Sequence, residues 1–406
     1  MSLLNIFKKR ESRIIFICWL AYTAAYVGRL NFSASNVAII DALGATKPEV
    51  GLVSSFFFFA YGAGQLINGI LTKYYNSKYM VFGSLTVSAV INLLMPLCAD
   101  VSVMKYIWLV NGMAQSVLWS TLIQTLSDFV SDKKLPSAIL AMSTTVAIGT
   151  LVAYGISAAF AKSGLWQAVF YVASVILVVS AFVWLSLFGP SKKRNIAESQ
   201  VQTETSKIKM SKAVGFALAL AAIAGVANGF IKDGVTTWVP SVLYEEFGLS
   251  TSFSILLTLL LPMVSTLGAT IAKKTHEKIR THSTMNTLFY AVAAVLCAGI
   301  ILSLKIRNLP AIMVCFIGLS CLMAMINNVV TSMFALDHRK YLNSGFVAGL
   351  LNTFCYVGST TTTYALGAVS QAKGWNAVFV IMLTVCIAAS VICLTGLVAK
   401  RKENKI

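Results

Sequence analysis

Charge is what this sequence has least of. Lys, Arg, Asp and Glu make up 11% of its 406 residues, against about 25% in an ordinary soluble domain. With 57% hydrophobic residues and a mean hydropathy of +0.79, such a chain is solvated by lipid rather than water, which excludes a soluble enzyme. The eight cysteines (Cys18, Cys98, Cys297, Cys315, Cys321, Cys355, Cys386, Cys393) form no CxxC pair and no Cys/His cluster. Nearly all lie in apolar runs, so they read as small buried hydrophobes, with no disulfide framework and no metal site. No nucleotide-binding motif or catalytic cluster is present, and no cofactor is expected. The formal net charge of +18 does not imply nucleic acid, because the cations sit in short clusters between apolar runs rather than along one basic face.

What is there instead is a series of apolar stretches of the length that crosses a bilayer, about 20 residues each. They run at roughly 13–40, 50–72, 79–98, 104–129, 136–161, 165–188, 213–243, 252–272, 284–304, 309–336, 344–371 and 376–399. The basic N-terminus MSLLNIFKKRESR leads into an apolar stretch of about 25 residues, longer than the roughly 7–15 of a signal-peptide core, and reads as the first span. The one long hydrophilic segment, 189–212, contains SKKRN and AESQVQTETSK and separates six spans (1–188) from six (213–406). Lys and Arg divide 24 to 6 between the two sides, with only Lys47, Lys105, Lys162, Lys305, Arg307 and Lys373 on the poorer one. Positive loops stay in the cytoplasm, so both termini and the linker are expected there, in a multi-pass protein of the cell (inner) membrane. Two parallel six-helix bundles with a cytoplasmic linker predict an all-α membrane protein of twelve transmembrane helices. This is the major facilitator fold, with two pseudo-symmetric halves around a midplane site. A monomer embedded in the lipid bilayer is expected.

After the loop charges are assigned, two cations are left inside the spans, Arg29 in the first and Lys232 in the seventh. Each opens its own half, and the next span starts about 20 residues later, at Val50 and at Ser252. A cation at the bilayer centre costs roughly 2.5–3.5 kcal/mol on insertion scales, so it normally faces a cavity or a partner. The acid in the interior of the spans is Asp233, beside Lys232. Even if it neutralises one cation, the other keeps no counter-charge, and a cavity of net positive charge invites a small anion. The blander alternative is that Arg29, Lys232, Asp233 and the helix ends simply hold the bundle together. Polar faces surround the cations at helical spacing: Tyr22, Tyr26, Arg29 and Ser33; Ser54, Tyr61, Gln65 and Asn68; Gly225, Asn228, Lys232 and Thr236; and Asn352, Tyr356 and the run Thr360–Thr363.

These residues resemble the organophosphate:phosphate antiporters of the major facilitator superfamily, the glycerol-3-phosphate and hexose-phosphate transporters. Tyr26-Val-Gly-Arg29-Leu-Asn31-Phe32 is similar to that family's Y-x-x-R-x-N-F. Ala60-Tyr61-Gly62 followed by Asn76-Ser77-Lys78 is close to its AYG and N-P-R, and Lys232-x-Gly234-x-x-x-Trp238-x-Pro240 to its R-x-G-x-x-x-W-x-P, with Lys in place of Arg. The resemblance implies a phosphate group held between Arg29 and Lys232, with Tyr26, Tyr61 and Tyr356 nearby, and alternating access by rocking of the halves. An arginine grips phosphate bidentately, whereas a lysine acts as a point charge.

The sequence departs from that family at three positions, where its known members carry a lysine in helix 2, a histidine in helix 5 and a glutamate in helix 8. The matching residues here are Gln65, Thr145 and Thr258, and the three histidines (His276, His282, His338) are expected in loops. With fewer cationic and titratable groups, a carboxylate or a phosphate monoester with a large neutral body becomes a candidate substrate. The G-x-x-x-D-R pattern of the superfamily loses its acid after Gly69, ending in Thr72-Lys73. Two further readings stay open. One is a proton-coupled carrier of a carboxylate or amphiphilic drug using Asp233; the other is a transporter-like sensor that binds ligand without flux.

Overall fold

The computed structural model describes residues 10–71, 74, 76–131, 133–161, 163–189, 212–279, 281–338 and 344–403. The body of the linker (190–211), Lys8, Lys9, the Thr72-Lys73 pair, Arg280, Arg339, Lys340 and Lys405 lie outside the described residues. The described chain is helical, with no strand, as expected where lipid supplies no partner for backbone N–H and C=O groups.

The helices are α1 (Arg10–Ala34), α2 (Asn36–Leu43), α3 (Lys47–Leu71), α4 (Ser77–Leu94), α5 (Val101–Ser116), α6 (Leu118–Phe129), α7 (Leu135–Ala161) and α8 (Trp166–Leu187). They continue as α9 (Lys212–Phe247), α10 (Thr251–Thr258), α11 (Leu260–Ser265), α12 (Gly268–Ile279), α13 (His282–Lys305), α14 (Leu309–Asn328), α15 (Phe334–Asp337) and α16 (Ser344–Glu403). A π-helical turn, Val329–Met333, joins α14 to α15.

Among the described residues, ten helices are long and apolar enough to cross a membrane. The twelve stretches of the sequence map onto them with two differences. The last two are merged in Phe346–Gly396, which breaks at Gly374 (φ 76°, ψ 175°), a conformation open to glycine and strained for other residues. The stretch 104–129 is divided at Val117 into α5 and α6, each too short to span alone. Two of the three histidines are not in loops: His276 lies within α12 and His282 is the first residue of α13, because α12 runs about two turns past its apolar stretch and α13 starts two residues before its own.

Polar residues start the helices for a local reason, since the first N–H groups of a helix lack intrahelical acceptors. Asn76 accepts from Lys78 N at 3.1 Å, Asp100 from Ser102 N at 2.7 Å, Ser250 from Phe253 N at 3.3 Å and Asn308 from Ala311 N at 3.0 Å.

The apolar core falls into clusters that follow the chain. One draws its buried members from Ala221 to Cys393; two others draw theirs from Ile14 to Phe188. A fourth joins Val27, Ala34, Tyr154 and Ala173 to Ile255 and Leu259 of the α10 region. Large apolar side chains also face outward, among them Val295 (69% exposed), Val314 (68%) and Phe59 (61%). In lipid these carry no penalty.

Close helix approach is made by glycine. A Cβ at Gly229 would overlap the carbonyl of Cys355, and one at Gly358 would overlap that of Val226, so α9 and α16 pass with backbones nearly touching. Along the α3–α16 seam, Ser55 Oγ and Thr363 Oγ1 lie 2.7 Å apart, and Asn352 Nδ2 donates to Gln65 Oε1. At the end of the bundle bearing the α2–α3 turn, Lys47 Nζ pairs with Glu245 Oε2 at 2.5 Å. The same oxygen accepts from Trp375 Nε1 at 2.9 Å, and the Lys47 ammonium sits 4.9 Å from the Trp375 ring.

Gly358→Ala is expected to lower stability by about 1–3 kcal/mol, since the clash is with backbone that no rotamer change relieves. Gly83→Ala, whose Cβ would meet open space within α4, should not lower it and should raise it by up to about 1 kcal/mol through helix propensity; thermal unfolding of the two variants in detergent checks the pair.

Candidate functional site

A cavity of about 160 Å³, open in part to the outside, lies among α1, α3, α5, α7, α9, α10, α11, α14 and α16. Nine of the residues singled out in the sequence line it: Tyr26, Arg29, Ser33, Ser54, Lys232, Asp233, Thr236, Thr258 and Tyr356. The α1 and α9 cations therefore do open on the same space. Their electrostatic settings differ. Lys232 Nζ has Asp233 Oδ1 at 3.5 Å, and the other carboxylate oxygen accepts from Ser359 Oγ. Adjacent positions on α9 thus make an ion pair, wide enough to leave the ammonium half-exposed to the cavity.

Arg29 has no acidic partner among the described residues. Its guanidinium carbon lies 3.7 Å from the centroid of the Tyr26 ring and 5.2 Å from that of Tyr61. Aromatic faces attract a desolvated cation by about 2 kcal/mol or more, yet they supply no formal negative charge. Tyr61 and Tyr356 pack at 4.9 Å between centroids, and the Tyr61 hydroxyl is buried without a hydrogen-bond partner.

The turn that carries Arg29 is held from behind. Asn92 Nδ2 and Asn111 Nδ2 each donate to the Gly28 carbonyl at 3.0 Å. Asn31 Nδ2 donates to Asn92 Oδ1 at 2.7 Å, and Ser88 Oγ donates to Asn111 Oδ1 at 2.8 Å. Asn31 is completely buried and lies outside the cavity lining. Its amide serves this network, and so supports Arg29 from the opposite face of α1.

The remaining sequence candidates also sit away from the lining. Tyr22 is buried edge-on against Tyr26 at 5.2 Å. Thr145 is fully buried and spends its hydroxyl on the Met142 carbonyl at 2.6 Å. Gln65 and Asn352 hold each other across the α3–α16 seam, and Trp238 donates to the Thr363 carbonyl at 3.2 Å. Helical spacing places such residues on a face without saying whether that face meets a cavity or a neighbouring helix.

Several lining residues escaped the sequence reading. Thr150 and Tyr154 of α7, Thr237 of α9 and Ser320 of α14 add polar groups, and Phe57, Phe58 and Trp108 form an apolar wall. Tyr154 donates to the Thr236 carbonyl at 3.1 Å. Ser359 stands one residue before the Thr360–Thr363 run and is the partner of Asp233. A hydroxyl i+4 from Cys355 offers no signal of its own in a helix rich in Ser and Thr.

A multi-pass helical bundle with a cavity among its helices, lined by both charged and apolar side chains, is an arrangement suited to a carrier. The Major Facilitator Superfamily model matches residues 18–360, and the chain belongs to that superfamily, whose members are membrane transporters and not enzymes. It is 23% identical over 429 residues to a glycerol-3-phosphate transporter of Bacillus subtilis (strain 168), covering 98% of this chain and 95% of that one. It is 21% identical over 421 residues to a probable hexose phosphate transport protein of Chlamydia trachomatis, covering 96% and 91%. The resemblance drawn from the motifs around Arg29 and Lys232 is therefore matched over nearly the whole chain. The fold superposes at a TM-score of 0.80 and 13% identity on an inward-facing, unoccupied bacterial homologue of the human lysosomal transporter Spinster, covering 96% of this chain and 97% of that one.

Replacing Asn31 by Ala should cost about 1–3 kcal/mol, because the buried Asn92 oxygen loses its donor. The cavity residue Ser33, replaced by Ala, should cost less than 0.5 kcal/mol, the range of substitutions away from such networks. Chemical or thermal unfolding of the purified variants separates the two.

Proposed function

We propose that this transporter carries a small organic anion, a phosphate ester in exchange for inorganic phosphate, held between Arg29 and Lys232. The observation that carries the reading is the charge imbalance of the cavity: two cations, one acid, and an arginine that, among the described residues, has ring faces and no carboxylate as its close neighbours of opposite polarity. An anion with several acceptor oxygens completes Arg29 bidentately and takes the exposed side of Lys232. Phe57, Phe58, Trp108, Leu261 and Pro262 would contact the uncharged body of the substrate. The relatives named for glycerol-3-phosphate and hexose phosphate support the same chemical class.

Both oxygens of Asp233 are engaged, one by Lys232 and one by Ser359, which favours a counter-ion over a proton carrier. Exchange without proton coupling is the corresponding mechanism. The halves 1–188 and 213–406, joined by the linker 189–212, would rock about the site. The Lys47–Glu245–Trp375 contacts, on the side poorer in Lys and Arg, would hold the outer entrance shut while the cavity communicates with the cytoplasm. The same basic bias supports cytoplasmic termini in a bacterial-type cell membrane, with the chain acting as a monomer.

Liposomes preloaded with phosphate and containing purified protein should take up labelled phosphate. Arg29→Ala and Lys232→Ala should each cut that exchange by at least about 30-fold, corresponding to about 2 kcal/mol for removing one partner of a desolvated charge contact. Absence of exchange by folded wild-type protein would reject phosphate as the counter-substrate and move the search to carboxylates.

Dissipating the pH gradient should leave exchange unchanged, and Asp233→Asn should retain transport. A flux that requires an inward proton gradient and disappears in Asp233→Asn would instead establish the proton-coupled carrier.

A further inference from the structure

Far from the central cavity, three side chains distant in sequence converge at one end of the bundle. His276 Nε2 lies 3.2 Å from Asp337 Oδ2, and His282 Nε2 lies 3.0 Å from the same oxygen. One potential ligand atom from each residue falls within 4.8 Å of the other two. The imidazoles are stacked, with ring centroids 5.2 Å apart and planes at 16°, so both Nε2 atoms point the same way. Each Nδ1 is buried, while the Asp337 side chain is 47% exposed. The nitrogens facing the carboxylate are thus those that an ion could reach from outside.

Three separate elements bring these groups together: the last turn of α12, the first residue of α13 and the last residue of α15. The π-helical turn Val329–Met333 immediately precedes α15. It inserts an extra residue into the helical repeat, rotating everything after it by about 100° relative to an unbroken α-helix. Asp337 faces the two histidines as a result. Behind them, Phe334 stacks on His338 at 4.1 Å and touches His282 at 5.6 Å, restricting the ring that carries one of the nitrogens.

We propose that His276, His282 and Asp337 form a binding site for a divalent late transition metal of the Zn²⁺ class. The donor set is two imidazole nitrogens and one carboxylate oxygen, with water completing the shell. Bonds of about 2.0–2.1 Å in tetrahedral geometry place neighbouring ligand atoms about 3.3 Å apart, close to the 3.0 and 3.2 Å found here. Imidazole donors select Zn²⁺, Ni²⁺ or Cu²⁺ over Mg²⁺ and Ca²⁺. A bound ion would tie α12, α13 and α15 together and so restrict relative movement of these helix ends. The inference stands apart from the reading of the central cavity, and so does its test.

The full chain, purified on a tag without histidine, is titrated with Zn²⁺ and with Co²⁺, the latter followed by its visible absorption bands. One ion per chain is expected. His276→Ala, His282→Ala and Asp337→Asn should each weaken binding by more than the about 10–100-fold that loss of an outer-shell partner costs. His338→Ala should leave binding in place. Zn²⁺ should raise the melting temperature of the wild type and of His338→Ala only. Asp337→Asn keeps a carbonyl oxygen to accept from the imidazoles, so its metal-free melting temperature should match the wild type and report on folding. No binding by the wild type, or equal binding by the His276→Ala/His282→Ala double variant (an adventitious ion only), would overturn the proposal.

Discussion

A guanidinium with no carboxylate partner among the described residues, placed inside a membrane-spanning bundle, is the constraint around which this protein is organised. Such a group is expensive in lipid, and here its cost is offset in three ways. Tyr26 and Tyr61 offer their π faces, the cavity admits water-sized occupants, and the backbone turn below Arg29 is pinned by Asn92 and Asn111. The pinning matters because a long arginine side chain would otherwise snorkel toward the nearest interface. A rigid α1 turn, an aromatic collar and a deficit of negative charge together suit Arg29 to the anion site proposed above.

Lys232 occupies the matching position on α9 but has a different character. Asp233 balances its charge without covering it, and Ser359 on α16 holds Asp233 in place. The α9–α16 contact that brings Ser359 there depends on the bare backbones at Gly229 and Gly358. Packing and electrostatics are therefore linked: bulk at the glycine seam would move the hydroxyl that orients the counter-ion. Most apolar clusters keep within each stretch of chain, while the contacts between the two stretches are both apolar, as in Tyr61 against Tyr356 and the cluster joining Val27 to Ile255, and polar, as in Lys47 with Glu245 and Gln65 with Asn352. The polar contacts break and re-form at small net cost, a property suited to surfaces that would separate in the proposed transport cycle.

Much of the fold was legible in the chain itself. Twelve apolar stretches, the charge asymmetry and the cations at Arg29 and Lys232 all follow from the price lipid sets on charge and on unpaired backbone, which operates residue by residue. The breaks at Val117 and Gly374 were not legible, because hydropathy averages over a window and does not see a single turn residue. Helical spacing correctly grouped Tyr26 with Arg29 and Ser33, yet it also nominated Gln65 and Asn352, and the resemblance nominated Asn31 and Trp238, all of which the structure spends on other helices, and Thr145, whose hydroxyl turns back on its own helix. Polar residues in lipid must find a partner, and a partner on a neighbouring helix leaves the same periodicity as a ligand would.

The sequence by itself determined that this is a membrane bundle, where its cations lie, and that negative charge is lacking around them. Those are matters of composition and local order. Only the tertiary structure decided that Arg29 and Lys232 share one cavity, that Asp233 is already committed to Lys232 and Ser359, and that His276, His282 and Asp337 meet. Each of these depends on which faces of distant helices are turned toward each other, and that is set by the packing of side chains and glycines between helices rather than by any spacing along the chain.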